Sequence, residues 1–215
     1  MNYKRFWMDL KTYKRSLLIV LFFIGASFQV QAQSTPVFDQ LKARFDAGEV
    51  FKGQFEHVYL DSYTEETTRT DGNIWINAVG YKLESAQQTI VVDGEISQVY
   101  DGSRNRVIIS EYEAEEDDFA PSRMLSGIDE TYTASEEPLG DGKTKITLIT
   151  TDDFAAFITV EIEVNAQLLP LKITAYDIAD NVIITTFSEG AFIPENSSIF
   201  EFTHPEDAEI VDMRY

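Results

Sequence analysis

Between residues 51 and 112 apolar side chains recur at every second position. Phe51, Phe55, His57 and Tyr59 fall on one face of an extended chain, with Gln54 and Glu56 on the other. Thr68, Thr70, Gly72, Ile74 and Ile76 then alternate with Arg69, Asp71, Asn73, Trp75 and Asn77, and Tyr81 and Leu83 alternate with Lys82 and Glu84. Residues 89–92, 96–100 and 106–109 continue the pattern. Side chains of a strand point alternately to opposite faces, so a period of two reads as β. Asp71-Gly72, Asp93-Gly94 and Asp101-Gly102 punctuate the runs. Such pairs favour tight reversals, because Gly tolerates positive φ and Asp hydrogen-bonds its own backbone. An antiparallel meander follows, with one face of the sheet covered.

On either side of this meander the period changes. Upstream, Val37, Leu41 and Phe45 are spaced four apart, predicting a short one-sided helix. Thr35 is its expected cap, Pro36 suits its first turn, Asp39 favours its dipole, and Gly48 stops it. Downstream, the acidic connection EYEAEEDD (111–118) leads into Phe119-Ala-Pro-Ser-Arg-Met-Leu, a second short helix with Pro121 in its first turn and Gly127 near its end. Strands are predicted at 130–134, 143–150, 157–164, 169–176, 182–188 and 200–203, with turns at Asp141-Gly142 and Asp180-Asn181. Ile158, Val160, Ile162 and Val164 alternate cleanly against Thr159, Glu161 and Glu163. About eleven strands with two or three short helices make an α+β fold. A sheet that wide twists and curls, with the helices on its apolar side.

The first 32 residues read as an export address. Lys4, Arg5, Lys11, Lys14 and Arg15 precede an apolar run at 17–28, shorter than the ~20 residues that span a bilayer. Val30-Gln31-Ala32 offers short side chains at the positions a signal peptidase reads. A secretory signal peptide at 1–32 and a single domain at 33–215 are therefore expected, with cleavage near Ala32.

Charge and chemistry narrow the function. The chain carries 17 Lys and Arg against 37 Asp and Glu. Residues 1–32 hold five of the basic side chains and one acid, which leaves 12 against 36, a net charge of −24 over the remaining 183 residues. That surface repels nucleic-acid phosphates and anionic headgroups. The absence of Cys excludes disulfides, thiolate metal sites and an acylated-cysteine signal. His57 and His204 are far apart in sequence, and there is neither a G-x-S-x-G elbow nor an H-x-x-x-H spacing. The acidic clusters lack a calcium-loop pattern. No catalytic constellation, metal or cofactor is expected, and the function is sought in the surface of the sheet.

Several short motifs, in order, carry a resemblance. They are F51-K-G-Q-F55, G72-N-I-W-I, Y81-K-L-E, I90-V-V-D-G94, V99-Y100-D101 and F119-A-P-S-R-M-L125. Together they resemble the outer-membrane lipoprotein carrier (LolA-type) family over nearly the whole chain after Ala32. The resemblance implies an incomplete, half-open antiparallel barrel closed by short helices that act as a lid. It implies a periplasmic monomer that holds the acyl chains of lipoproteins between the inner and outer membranes. Its partners would be acylated lipoproteins and an inner-membrane lipoprotein-releasing transporter, with an outer-membrane acceptor left open. On this pattern Phe55, Ile74, Ile76, Tyr81, Leu83, Ile158 and Val160 line the cavity, while Phe119, Met124 and Leu125 form the lid. Where the family has an Arg-Pro corner this chain has Ala78-Val79, so a lid held by apolar contacts alone is expected. Carriage of another lipid or glycolipid, or lipid sensing by a regulatory module, are the alternatives.

Overall fold

The computed structural model describes residues 34–117 and 120–214. Helix α1 (Pro36–Asp46) precedes six strands: β1 (Glu49–Leu60), β2 (Thr67–Ile76), β3 (Tyr81–Ser85), β4 (Gln88–Val92), β5 (Ile96–Asp101) and β6 (Arg106–Glu111). A 3-10 turn (Ala114–Glu116) and helix α2 (Pro121–Ser126) follow. The chain then returns to strands β7 (Thr133–Gly140), β8 (Lys143–Ile149), β9 (Thr159–Val164), β10 (Pro170–Tyr176), β11 (Val182–Pro194) and β12 (Glu209–Asp212). All twelve strands form one sheet in the order β12-β6-β5-β4-β3-β2-β1-β11-β10-β9-β8-β7. It is antiparallel except where β12 runs parallel to β6, and it does not close on itself. The result is an open half-barrel with short helices.

The sheet hinges on its two longest strands, β1 and β11, which pair from Glu49↔Pro194 to Leu60↔Val182. Their side chains set which face is the interior. Phe51 and Phe55 of β1 are buried with Phe187 of β11, and Phe51 meets Phe187 and Phe192 edge to face. Helix α1 lies on the part of the trough formed by β1 and β7–β11. There Phe38, Leu41 and Phe45 pack with Ile146, Leu148, Val160, Ile162 and Val164 in one buried cluster. Thr35 makes no side-chain cap bond. The N–H of Phe38 instead donates to Glu136 Oε1 of β7 at 2.6 Å, so a carboxylate across the trough satisfies the free donor at the positive end of the helix.

Several turns form where expected. Asp93 Oδ1 accepts the N–H groups of Glu95 and Ile96 between β4 and β5, and Asp101 Oδ1 accepts those of Ser103 and Arg104 between β5 and β6. Asp141 and Gly142, both at positive φ, form a two-residue hairpin loop between β7 and β8.

Three expectations are corrected. Asp71-Gly72 is not a reversal but lies inside β2, with Gly72 paired to both Phe55 and Ser85. A Cβ at Gly72 would fall 1.9 Å from the carbonyl oxygen of Glu84, so the glycine serves close approach of two strands. The last strand is Glu209–Asp212 rather than 200–203. The alternation read through Ile158 breaks at the start of β9. Phe157 and Val160 are both buried, and Ile158 between them is 37% exposed. The signal-peptide segment 1–32 lies outside the described residues.

Candidate functional site

Where α1 ends its cover, the interior is less completely filled. Between β1–β4, β10, β11 and α2 lies a cavity of about 300 Å³. Phe55, Ile74, Tyr81 and Leu83, expected there from sequence, do line it, as does Met124 of α2. Ile90, Ile173, Ile183 and Pro121 complete its apolar wall. Ile76, Val160 and Leu125 are fully buried and belong to the packed core instead of the cavity wall. Ile158, placed by the resemblance on the facing strand, lies outside the interior because of the break at 157–160. Phe119 lies outside the described residues.

Four polar side chains also line the cavity: His57, Thr70, Gln88 and Thr185. Sequence reading missed all four as site residues, because their proximity depends on pairing register. His57 is paired with Thr70 on one side and with Thr185 on the other, so the three form one cross-strand row. His57 Nδ1 lies 3.0 Å from Thr185 Oγ1. Burial pushes the His57 pKa below its usual 6.5, which leaves the ring neutral at neutral pH.

The second helix is held by more than apolar contact, which corrects the expectation of a lid without a polar latch. The Tyr81 hydroxyl donates to Asp117 Oδ2 at 2.9 Å. The Asp117 carbonyl accepts the N–H of Ala120, and the Ala120 carbonyl accepts that of Met124. A chain of bonds therefore runs from the cavity wall into α2. Burial, then the charge of Asp117 and the hydrogen bond to it, push the Tyr81 pKa well above its usual value and keep the donor protonated. Ala78-Val79 sits in the β2–β3 turn, where Asn77 Oδ1 accepts the N–H groups of Val79 and Gly80. That turn is tied to Glu195 through Asn77 Nδ2 at 2.7 Å.

No family model matches this sequence, and no curated protein matches it. Among solved structures, the chain is similar to an uncharacterized conserved protein from Thermus thermophilus, at 14% identity and a TM-score of 0.54. That match covers 82% of this chain and 97% of the other. It is more loosely similar to a LolA superfamily protein from Nitrosomonas europaea, at 11% identity and a TM-score of 0.40, over 76% of this chain and 97% of that one. MucB, solved in complex with MucA(peri), gives 15% identity and a TM-score of 0.40 over 83% of this chain and 62% of its own. The Thermus thermophilus likeness is one of fold and no more.

Chemically the site offers apolar area and neutral hydrogen-bonding groups. No charged side chain lines the cavity among the described residues. Its volume is at the lower end of the ~300–1,000 Å³ typical of ligand sites. Such a lining suits an uncharged, largely apolar ligand better than a charged one.

Proposed function

We propose that this protein is an exported acyl-chain carrier of the periplasm, not an enzyme, which takes lipoproteins by their acyl chains from the inner membrane towards the outer. The apolar cavity beneath α2 is the observation that carries this reading. Most of its wall comes from β1–β4, which bear the sequence resemblance, and its cover is a six-residue helix. Each CH₂ moved out of water contributes about 0.8 kcal/mol, so even one partly buried chain would be held without any polar specificity. Cargo with several chains exceeds the closed cavity, so loading requires α2 to move away from β3. The small closed volume favours a second reading, in which the cargo is a lipid with a single chain.

Native mass spectrometry of the protein purified under non-denaturing conditions tests both. Co-purified acylated polypeptide supports the lipoprotein carrier, whereas a free lipid supports the second reading. A protein that purifies empty, and whose bound hydrophobic dye is not displaced by a triacylated peptide or by a lipid, refutes both.

A further inference from the structure

The polar row on the cavity wall has no role in holding an acyl chain, and it marks a second, chemically distinct part of the site. Thr70, His57 and Thr185 lie side by side on β2, β1 and β11. Gln88 lines the same cavity from the start of β4. Along β2, Thr70 and the apolar Ile74 are four residues apart, or about 13 Å at the ~3.3 Å rise of a strand. The cavity is thus amphipathic, with a hydrogen-bonding row across β2, β1 and β11 flanked by apolar wall: Ile74, Tyr81 and Met124 on one side, Ile173 beside Thr185, and Ile183 beyond.

The polar groups also define what head they accept. Thr70, Thr185 and Gln88 supply hydroxyl and amide groups that both donate and accept, and the neutral imidazole of His57 does the same. No Lys or Arg lines the cavity among the described residues, and the Asp117 carboxylate stands on the far side of the Tyr81 hydroxyl. A carboxylate or phosphate brought here would be desolvated without a cation to pair with it, whereas an ester, alcohol or amide would exchange water for protein hydrogen bonds at little cost.

We propose that the row Thr70–His57–Thr185, with Gln88, is a head-group subsite for an acyl lipid whose head is uncharged and hydrogen-bonding, such as a glyceryl ester. This rests on the reading that the cavity takes an acyl chain, and it adds which chemical class of acyl lipid is selected. The apolar wall takes the chain, and the polar row takes the ester and hydroxyl oxygens. A site whose buried polar groups are matched by one head and left unmatched by another discriminates strongly between the two.

The test compares two lipids with the same chain. The full-length protein is delipidated and loaded with the uncharged dye N-phenylnaphthylamine, which is then displaced at pH 8 by monopalmitoylglycerol or by palmitate. Monopalmitoylglycerol should displace the dye at a concentration at least tenfold below that of palmitate. The double variant Thr70→Val, Thr185→Val keeps side-chain shape and should bring the ratio towards one. Gln88→Leu should narrow it independently, and decides the matter if the double variant does not fold. Palmitate competing as well as monopalmitoylglycerol, or a ratio unchanged in a folded variant, overturns the head-group subsite while leaving the acyl cavity standing. Failure of both lipids to displace the dye overturns the acyl-chain reading itself, and the subsite with it.

Discussion

Removing one oxygen atom should loosen the second helix without disturbing the sheet. Tyr81→Phe keeps the ring that lines the cavity and deletes only the hydroxyl that donates to Asp117 Oδ2 at 2.9 Å. Hydrogen bonds to charged groups contribute about 1.5–3 kcal/mol. Asp117 is half-buried, so part of its lost bond is recovered from solvent and the lower end applies, about 1.5 kcal/mol. At about 1.4 kcal/mol per factor of ten, the open fraction of α2 should rise roughly tenfold. Amide hydrogen exchange followed by mass spectrometry reads this directly, in a peptide covering 120–127. Asp117→Asn keeps an acceptor but removes the charge; the neutral bond that remains still contributes about 0.5–1.5 kcal/mol, so the loss should be smaller, at most about 1 kcal/mol.

The same bond predicts a response to alkali. Tyr81 has a raised pKa in the closed state and returns towards ~10 when opening exposes it to water. A group whose pKa is raised by closure stabilises the closed form fully below the open-state value and loses that contribution as pH rises past it. Dye entry into the cavity should therefore accelerate above about pH 10 in the native protein and not in Tyr81→Phe. Unchanged exchange of α2 in Tyr81→Phe would show that the Tyr81–Asp117 bond does not hold the helix, and the latch would have to be sought elsewhere.

Two further outcomes separate cavity from core and test the histidine. Leu125→Ala or Ile162→Ala, at fully buried positions, should each cost about 2–5 kcal/mol in urea unfolding, while Leu83→Ala, half-buried against the cavity, should cost less than about 2 kcal/mol. Equal losses would mean that the cavity wall is packed as tightly as the core. His57 has a folded pKa depressed by burial, so its contribution to stability is present above about pH 6.5 and is lost as pH falls through the lowered folded value. Urea midpoints measured across that range should fall in the native protein, and His57→Gln should flatten that part of the profile.

The sheet was legible because its pattern is local. Phe51, Phe55, His57 and Tyr59 share a face at period two, and the Asp93 and Asp101 turns use their own side chains to close. The α1 face was nearly right, with Leu41 and Phe45 buried as expected and Phe38, rather than Val37, completing the set. Gly72 misled because Asp-Gly signals a turn, while the need for a missing Cβ comes from the Glu84 carbonyl on a neighbouring strand. Ile158 misled because a bend before β9 lets Phe157 and Val160 face the same side, which no alternation records. Lining and core positions share the same residue types, so Ile74 at the cavity and Ile76 in the core were indistinguishable by sequence. The row Thr70–His57–Thr185 exists only once the registers of β2, β1 and β11 are set.

On the proposed carrier reading, capacity and gating arise from the same feature, the shortness of α2. Helix α1, with eleven residues, brings Phe38, Leu41 and Phe45 into its part of the trough and fills it. Helix α2 has six residues and buries Ser122, Met124 and Leu125, with Pro121 and Met124 lining the cavity. Pro121 and Met124 put less side-chain volume over the trough than the two phenylalanines and the leucine of α1, so empty volume remains beneath them. A six-residue helix also has too few internal hydrogen bonds to persist alone, since isolated helices below ~12–15 residues are marginal. Its closed position therefore depends on the burial of Leu125, the contact of Met124 and the bond from Tyr81 to Asp117. Those contacts can be lost together without breaking any strand pair, because α2 contributes no rung to the sheet. Segments with few buried contacts open at a fraction of the free energy of global unfolding. A longer second helix would fill the cavity and fasten it shut at once, and the protein would gain stability at the expense of the space and the motion that the proposed cargo needs.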